Sequence, residues 1–128
     1  MRKHVETLTA DNATWQTLLA EDVVWEFAYA PSIGHPDKLP GKEAVVRQIT
    51  WFVGAVENFR FYGLNVFETA NPEVAIGTVR GEGLIKSTGR VYQQEYVVFL
   101  TSKNGKIAHI REYYDPVQAA KAMNIPIW

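Results

Sequence analysis

From Phe59 the hydrophobic pattern changes from helical spacing to alternation and keeps it to Tyr114, in runs at 59–69, 74–85, 90–101 and 106–114. The connections Thr69-Ala70-Asn71-Pro72, Lys86-Ser87-Thr88-Gly89 and Ser102-Lys103-Asn104-Gly105 consist largely of residues that tolerate tight turns. Successive runs should therefore pair as hairpins in one antiparallel meander. Helical patterns precede it, so the architecture expected is α+β, with helices closing one face of a long curved sheet.

Upstream, residues 1–10 read as a short helix with Val5 and Leu8 on its apolar side. Asp11 or Asn12 can cap a second helix through Leu19, on a stripe of Trp15, Leu18 and Leu19, which Glu21-Asp22 ends. Val23–Tyr29 then alternates, placing Val23, Trp25, Phe27 and Tyr29 on one strand face. Residues 30–40, with Pro31, Pro36, Pro40, Gly34 and Ser32, read as an irregular loop, a mouth or lid in which His35 is solvated. Gly41 to Val56 carries an apolar stripe of Val45, Ile49, Phe52, Val53 and Val56, the mark of an amphipathic helix. Ala44, Gln48 and Trp51 flank that stripe, and Gln48 there needs polar partners or sits half exposed.

At 128 residues the chain reads as one domain, 1–128, able to bury roughly two thirds of the surface its unfolded form exposes. It has no cysteine, which removes disulfides, thiolate catalysis and cysteine metal sites and fits a reducing, cytoplasmic setting. No leader and no apolar run near membrane-spanning length is evident. A net charge of -1 with dispersed basic residues argues against a nucleic-acid surface. Four Trp, six Tyr and six Phe suit a cavity lined with rings.

The last run carries the one acid that stands out. Ala108, Ile110, Glu112 and Tyr114 share one face, and Ile107, His109, Arg111 and Tyr113 the other. If the first face is interior, loss of water raises the pKa of Glu112 and lets it exchange protons near neutrality. The competing reading is a glutamate on the solvated face or neutralised by an arginine, such as Arg80 or Arg111 of a partner chain. In 90–101, Tyr92, Gln94, Tyr96, Val98 and Leu100 alternate with Val91, Gln93, Glu95, Val97 and Phe99, and alternation leaves open which set is inside. Gly77, Gly81 and Gly83 share a face of the second run, as for bending the sheet or admitting another element closely. Asp115 can cap a final helix with Pro116 at its first position. The apolar tail Asn124-Ile125-Pro126-Ile127-Trp128 should cover the pocket mouth or meet a second subunit.

The segments at 18–27 (Leu-Leu-Ala-Glu-Asp-Val-Val-Trp-Glu-Phe), 39–44 (Leu-Pro-Gly-Lys-Glu-Ala) and 105–116 resemble the SnoaL-like branch of the nuclear transport factor 2-like proteins, over nearly the whole chain. Residues 65–72, Arg111-Glu112-Tyr113 and Asn124-Ile125-Pro126 are most similar to the phenazine-biosynthesis A/B family. The resemblance implies a cone-shaped, cystatin-like α+β fold with N-terminal helices on the concave face of the sheet. It also implies a small-molecule pocket between the two, a homodimer, and a pocket-facing, proton-handling Glu112. The strand Tyr92-Gln93-Gln94-Glu95-Tyr96 resembles a Tyr-x-Asn-x-aromatic segment of that branch, which implies Tyr92 and Gln94 at the pocket. Where an ungapped match places the phenazine family's pocket histidine and serine, this chain has Gln48 and Phe52, with Trp51 kept between them. Both changes remove polar or ionisable function, which argues against the phenazine reaction itself, and nothing here matches the Tyr and Asp pair of the ketosteroid isomerases.

The function expected is acid–base catalysis on a cyclic or aromatic metabolite, an isomerisation, cyclisation, dehydration or condensation, with Glu112 as proton shuttle and no metal or other cofactor. Gln48, Tyr92 and Gln94 would hold polar atoms of the substrate, and Trp25, Phe27, Trp51, Phe52, Tyr96 and Tyr114 its rings. The alternatives are a binding protein without chemistry and a scaffold that uses the convex face for protein contacts.

Overall fold

The computed structural model describes residues 1–127. In chain order the elements are α1 (Arg2–Thr7), α2 (Asn12–Thr17), β1 (Leu19–Phe27), a 3-10 turn (Ala30–Ile33), β2 (Lys38–Pro40), α3 (Lys42–Ala55), β3 (Val56–Glu68), β4 (Val74–Ile85), β5 (Arg90–Lys103), β6 (Lys106–Tyr114) and α4 (Pro116–Met123). The strands form one sheet in the order β2-β1-β6-β5-β4-β3. From β3 to β6 every neighbour is antiparallel, the meander that the hairpin turns dictate. Asn104 and Gly105 have φ of 52° and 75°, the left-handed pair that a two-residue turn needs. The β1–β6 pair is parallel, with Trp25 opposite Ile110 and Phe27 opposite Glu112. Alternation carries no strand direction, so the sequence left this pairing unstated.

Four details correct the sequence reading. The second helix stops at Thr17 and Leu19 already belongs to β1, because Ile107 N donates to Leu18 O and draws the chain into the sheet. The strand ends at Phe27, so Tyr29 leaves the row of Val23 and Trp25 and stands half exposed against Tyr113. The 30–40 segment is partly regular, a 3-10 turn closed by Gly34 at φ 79° and a short strand antiparallel to β1. In β6, Thr101 faces His109 while Ser102 faces Ile107, so Ala108 is an extra residue in a bulge. The bulge turns Ile107 into the core and leaves Ala108 beside His109 on a surface hollow, and normal alternation resumes from Ile110.

α3 packs on β1, β2 and β3, α4 on β5, and α1 on β3, so the helices cover one face of the sheet. Two apolar clusters result. One gathers Trp15, Val23, Trp25, Val45, Ile49, Val79, Tyr96, Val98 and Ile110, and the other Val56, Ile85, Tyr92, Ala119 and Ala122. The glycines of β4 admit β3 closely, since a Cβ on Gly81 would lie 2.5 Å from Phe59 Cζ and one on Gly83 2.5 Å from Val56 Cγ1. Asp115 caps α4 through a bond from Val117 N at 2.9 Å, with Pro116 at the first helical position. Asn124 in the left-handed region ends the helix, and Ile127 beyond it is half exposed; Trp128 lies outside the described residues. Among the described residues no helix is long and apolar enough to cross a membrane.

Candidate functional site

The two clusters do not close on each other. Between them lies a cavity of about 140 Å³, bounded by Leu8, Trp25, Ile49 and Tyr96 from the first and by Tyr92 and Ala119 from the second. Phe27, Gln48, Trp51, Phe52, Phe61, Glu112 and Tyr114 complete most of the wall, and Ile33, His35, Pro36 and Leu39 come from the loop between β1 and α3. Trp25 and Phe27 stack at 5.4 Å, whereas Trp51 is half exposed.

Glu112 stands on the inner face of β6 because Ile110, fully buried, and Val98, its partner across β5, anchor that face in the core. It is 8 % exposed, and its carboxyl has no hydrogen-bond partner among the described residues. Burial alone pushes its pKa up to about 8. Arg111 points the other way: Nη1 donates to Glu26 Oε2 at 2.7 Å and Nε to Tyr113 Oη at 2.7 Å, while His109 meets Glu26 Oε1 at 2.8 Å. Glu26, not Glu112, therefore takes Arg111 and His109 as partners, and its pKa is lowered, first by the His109 hydrogen bond.

Three phenols share the cavity with the acid. Tyr92 Oη and Tyr96 Oη are 3.2 Å apart. Burial raises the pKa of both, and that of Tyr114 to about 12, with the Glu112 charge a further upward cause in each case. All three therefore stay protonated and act as donors at ordinary pH.

Behind the cavity wall, Trp15 Nε1 donates to His4 Nδ1 at 2.9 Å, which fixes His4 as the neutral tautomer carrying its proton on Nε2. His4 is 4 % exposed, and burial, then the N-terminal charge, lowers its pKa to about 3. Its ring lies 5.6 Å from that of Trp25. Trp25 Nε1 is buried and has no partner among the described residues.

Of the residues singled out from the sequence, Glu112, Gln48, Trp51, Phe52, Trp25, Phe27, Tyr92, Tyr96 and Tyr114 all line this one cavity. Gln94 is not on the wall. It is 4 % exposed and stands behind Tyr92, bonded to it and to the backbone of Asp115. His35 is not freely solvated: its N donates to Ala30 O at 3.1 Å, which folds the loop back so that the half-buried ring joins the wall. Leu8, Ala119 and Met123 were missed, since apolar spacing on a short helix identifies a buried side without saying what it faces. Among the described residues there is no cluster of three or more His, Cys, Asp or Glu fit to hold a metal.

Comparison with known proteins places this geometry. The model of the SnoaL-like domain matches residues 1–110, ending just short of Glu112. The uncharacterised protein YesE of Bacillus subtilis is 29 % identical over 115 residues, covering 90 % of this chain and 78 % of that protein. An uncharacterised PhzA/B-like protein of Pseudomonas aeruginosa is 29 % identical over 113 residues, covering 88 % of this chain and 79 % of that one. The crystal structure of a candidate isomerase from Bacillus subtilis superposes with a TM-score of 0.87 at 26 % identity, over 98 % of this chain and 91 % of that one. The fold is the one described in other solved structures as nuclear transport factor 2-like or ketosteroid isomerase-like. With a match running from α1 into β6, the chain belongs to the SnoaL-like domain family and has PhzA/B-like proteins among its relatives.

Proposed function

We propose that the cavity binds a small cyclic molecule and that Glu112 exchanges a proton with it, in an isomerisation, cyclisation or condensation. The observation that carries the proposal is a buried carboxyl group, without a hydrogen-bond partner among the described residues, that opens onto an apolar cavity. Leaving such a group unpaired costs stability, and a bound substrate would use it. With its pKa near 8 it holds a proton at neutral pH yet gives it up readily. The volume of about 140 Å³ is close to that of an engineered apolar cavity that accepts benzene, so one ring is the natural occupant. The similar Bacillus protein described as a candidate isomerase is in keeping with this chemistry.

A thermal-shift screen of monocyclic ketones, phenols and amines tests the binding half. A ligand at about 100 times its Kd adds about 2.7 kcal/mol to the native state, and so raises Tm by several degrees. If no single-ring compound raises Tm, the reading fails. Pure binding without chemistry is the second reading, favoured by a wall of eight aromatic side chains around a single carboxyl. It predicts tight binding of an unreactive aromatic compound that Glu112→Gln leaves unchanged.

We also propose a homodimer through the outer face of the sheet. Tyr29, Phe99, Arg111 and Tyr113 form a continuous array there, with Arg111 stacked 5.3 Å over Tyr113 and Tyr29 52 % exposed. Such a mixed aromatic surface suits a two-fold contact. Sedimentation at micromolar concentration should give the dimer mass, and a single monomer species would refute it.

A further inference from the structure

We infer that Tyr92 and Tyr96, oriented by Gln94, present one hydroxyl hydrogen to the cavity and so select a ring that carries a hydrogen-bond acceptor, such as a cyclic ketone or enone. The inference rests on the reading of the cavity as a small-ring site. It starts from Gln94, whose amide is used up. Its Oε1 accepts from Asp115 N at 2.9 Å and from Glu95 N at 3.0 Å, which fixes which end is oxygen. Its Nε2 therefore donates, to Asp115 O at 2.9 Å and to Tyr92 Oη at 3.1 Å. Tyr92 and Tyr96 together own two hydroxyl hydrogens, and the 3.2 Å bond between them uses one. No other protein acceptor among the described residues takes the second, and both residues line the cavity.

Whichever phenol donates to its neighbour, one O–H remains for the cavity. Gln94, by donating to Tyr92, keeps the pair from turning that hydrogen back into the protein. Glu112 lines the same cavity as both phenols, so an acceptor atom held by them shares that cavity with the carboxyl. Among the described residues no lysine or arginine lines the wall, so an anionic ring finds no counter-ion from them. A hydrocarbon ring would leave the hydroxyl unpaired, which favours a ring with an acceptor over an isosteric hydrocarbon. Tyr92 and Tyr96 are then ligand contacts, and Gln94 is a positioning residue.

The test uses 2-cyclohexenone, its hydrocarbon analogue methylenecyclohexane, and cyclohexylamine in calorimetric titrations of the full chain. Wild type should bind the enone about ten-fold more tightly than the hydrocarbon, and the double variant Tyr92→Phe/Tyr96→Phe, which alone leaves no hydroxyl hydrogen for the cavity, should remove most of that preference without changing hydrocarbon binding. Gln94→Leu should weaken enone binding several-fold. Because it also cuts the bonds to Asp115, Tyr92→Phe is the companion variant, breaking the relay while those bonds stay. The ultraviolet band of the bound enone reports the hydrogen bond directly. It should lie further to the red in wild type than in the double variant Tyr92→Phe/Tyr96→Phe, a change that a purely structural role would not produce. Equal affinity for enone and hydrocarbon, tighter binding of cyclohexylamine, or an unmoved band in the double tyrosine variant overturns the inference and leaves the small-ring reading intact. Binding of none of the three probes overturns both.

Discussion

Glu112→Gln is expected to stabilise the fold in alkaline solution while removing its proton exchange. The folded pKa of about 8 lies above the ordinary value of 4.5, so between those limits the native chain holds a proton that the unfolded chain has lost. Stability from this group is therefore complete below pH 4.5 and falls as pH rises, with the loss complete above pH 8. A difference of that size corresponds to about 5 kcal/mol at most, or a Tm difference of roughly 10 °C or more for a domain of this size. Glutamine keeps the shape and does not titrate. Wild type and variant should melt together near pH 5, and the variant should melt later at pH 9. Identical pH profiles would mean that the carboxyl ionises freely in the fold. In turnover, the same variant should lose about 10²-fold or more in rate with ligand binding retained, the pattern of a group used in proton transfer.

Glu112 also shows how far the sequence alone could go. Alternation in β6 put it on the face of Ile110 and Tyr114, and that relation is local, set by the pleat. Whether that face met core, cavity or solvent depended on β1 pairing parallel to β6 and on α3 and α4 closing above, and neither leaves a mark within the strand. The same limit explains β5. Its two faces looked alike in sequence, and the choice fell to Tyr92, Tyr96 and Val98 because Gly81 and Gly83 on β4 leave room on that side for Phe59 and Val56. Ile107 was misread because a one-residue bulge reverses a period-two pattern, and alanine at the bulge gives no warning.

The turns and caps were legible because their chemistry is local: Asn104-Gly105 requires positive φ, and Asp115-Pro116 matches the first positions of a helix. Gln94 was assigned to the pocket on a resemblance between short motifs. Its side chain does point to the pocket's side of the sheet, but the neighbouring tyrosines are longer and reach the cavity first, leaving the amide to hold them. His4 gave no signal at all. A histidine one position before Val5 on a six-residue helix reads as exposed, and only the arrival of Trp15 and Trp25 on it reveals otherwise.

That histidine sets the acid limb of stability, where the second large effect is expected. Its folded pKa of about 3 lies below the ordinary 6.5, so the unfolded chain takes up a proton that the native chain refuses. Stability is lost as pH falls from 6.5 towards 3, by about 5 kcal/mol at most. Glu112 acts with the opposite sign between 4.5 and 8, and from 4.5 to 6.5 the two slopes cancel. These two groups together give a plateau between pH 4.5 and 6.5 with a decline on either side. Asp11 and Glu26, both held below their ordinary range, steepen the acid decline, but they are common to wild type and variants and drop out of the comparison. His4→Gln leaves an acceptor for Trp15 Nε1 and removes the titration, so its denaturant midpoint should rise relative to that of wild type as pH falls from 6.5 to 4. His4→Leu strips the acceptor as well and should lie about 1–3 kcal/mol below His4→Gln at every pH, through a buried indole N–H left without a partner. If the difference between His4→Gln and wild type instead stays constant below pH 6.5, His4 accepts its proton inside the fold and the packing of α1 on the tryptophans opens to admit it.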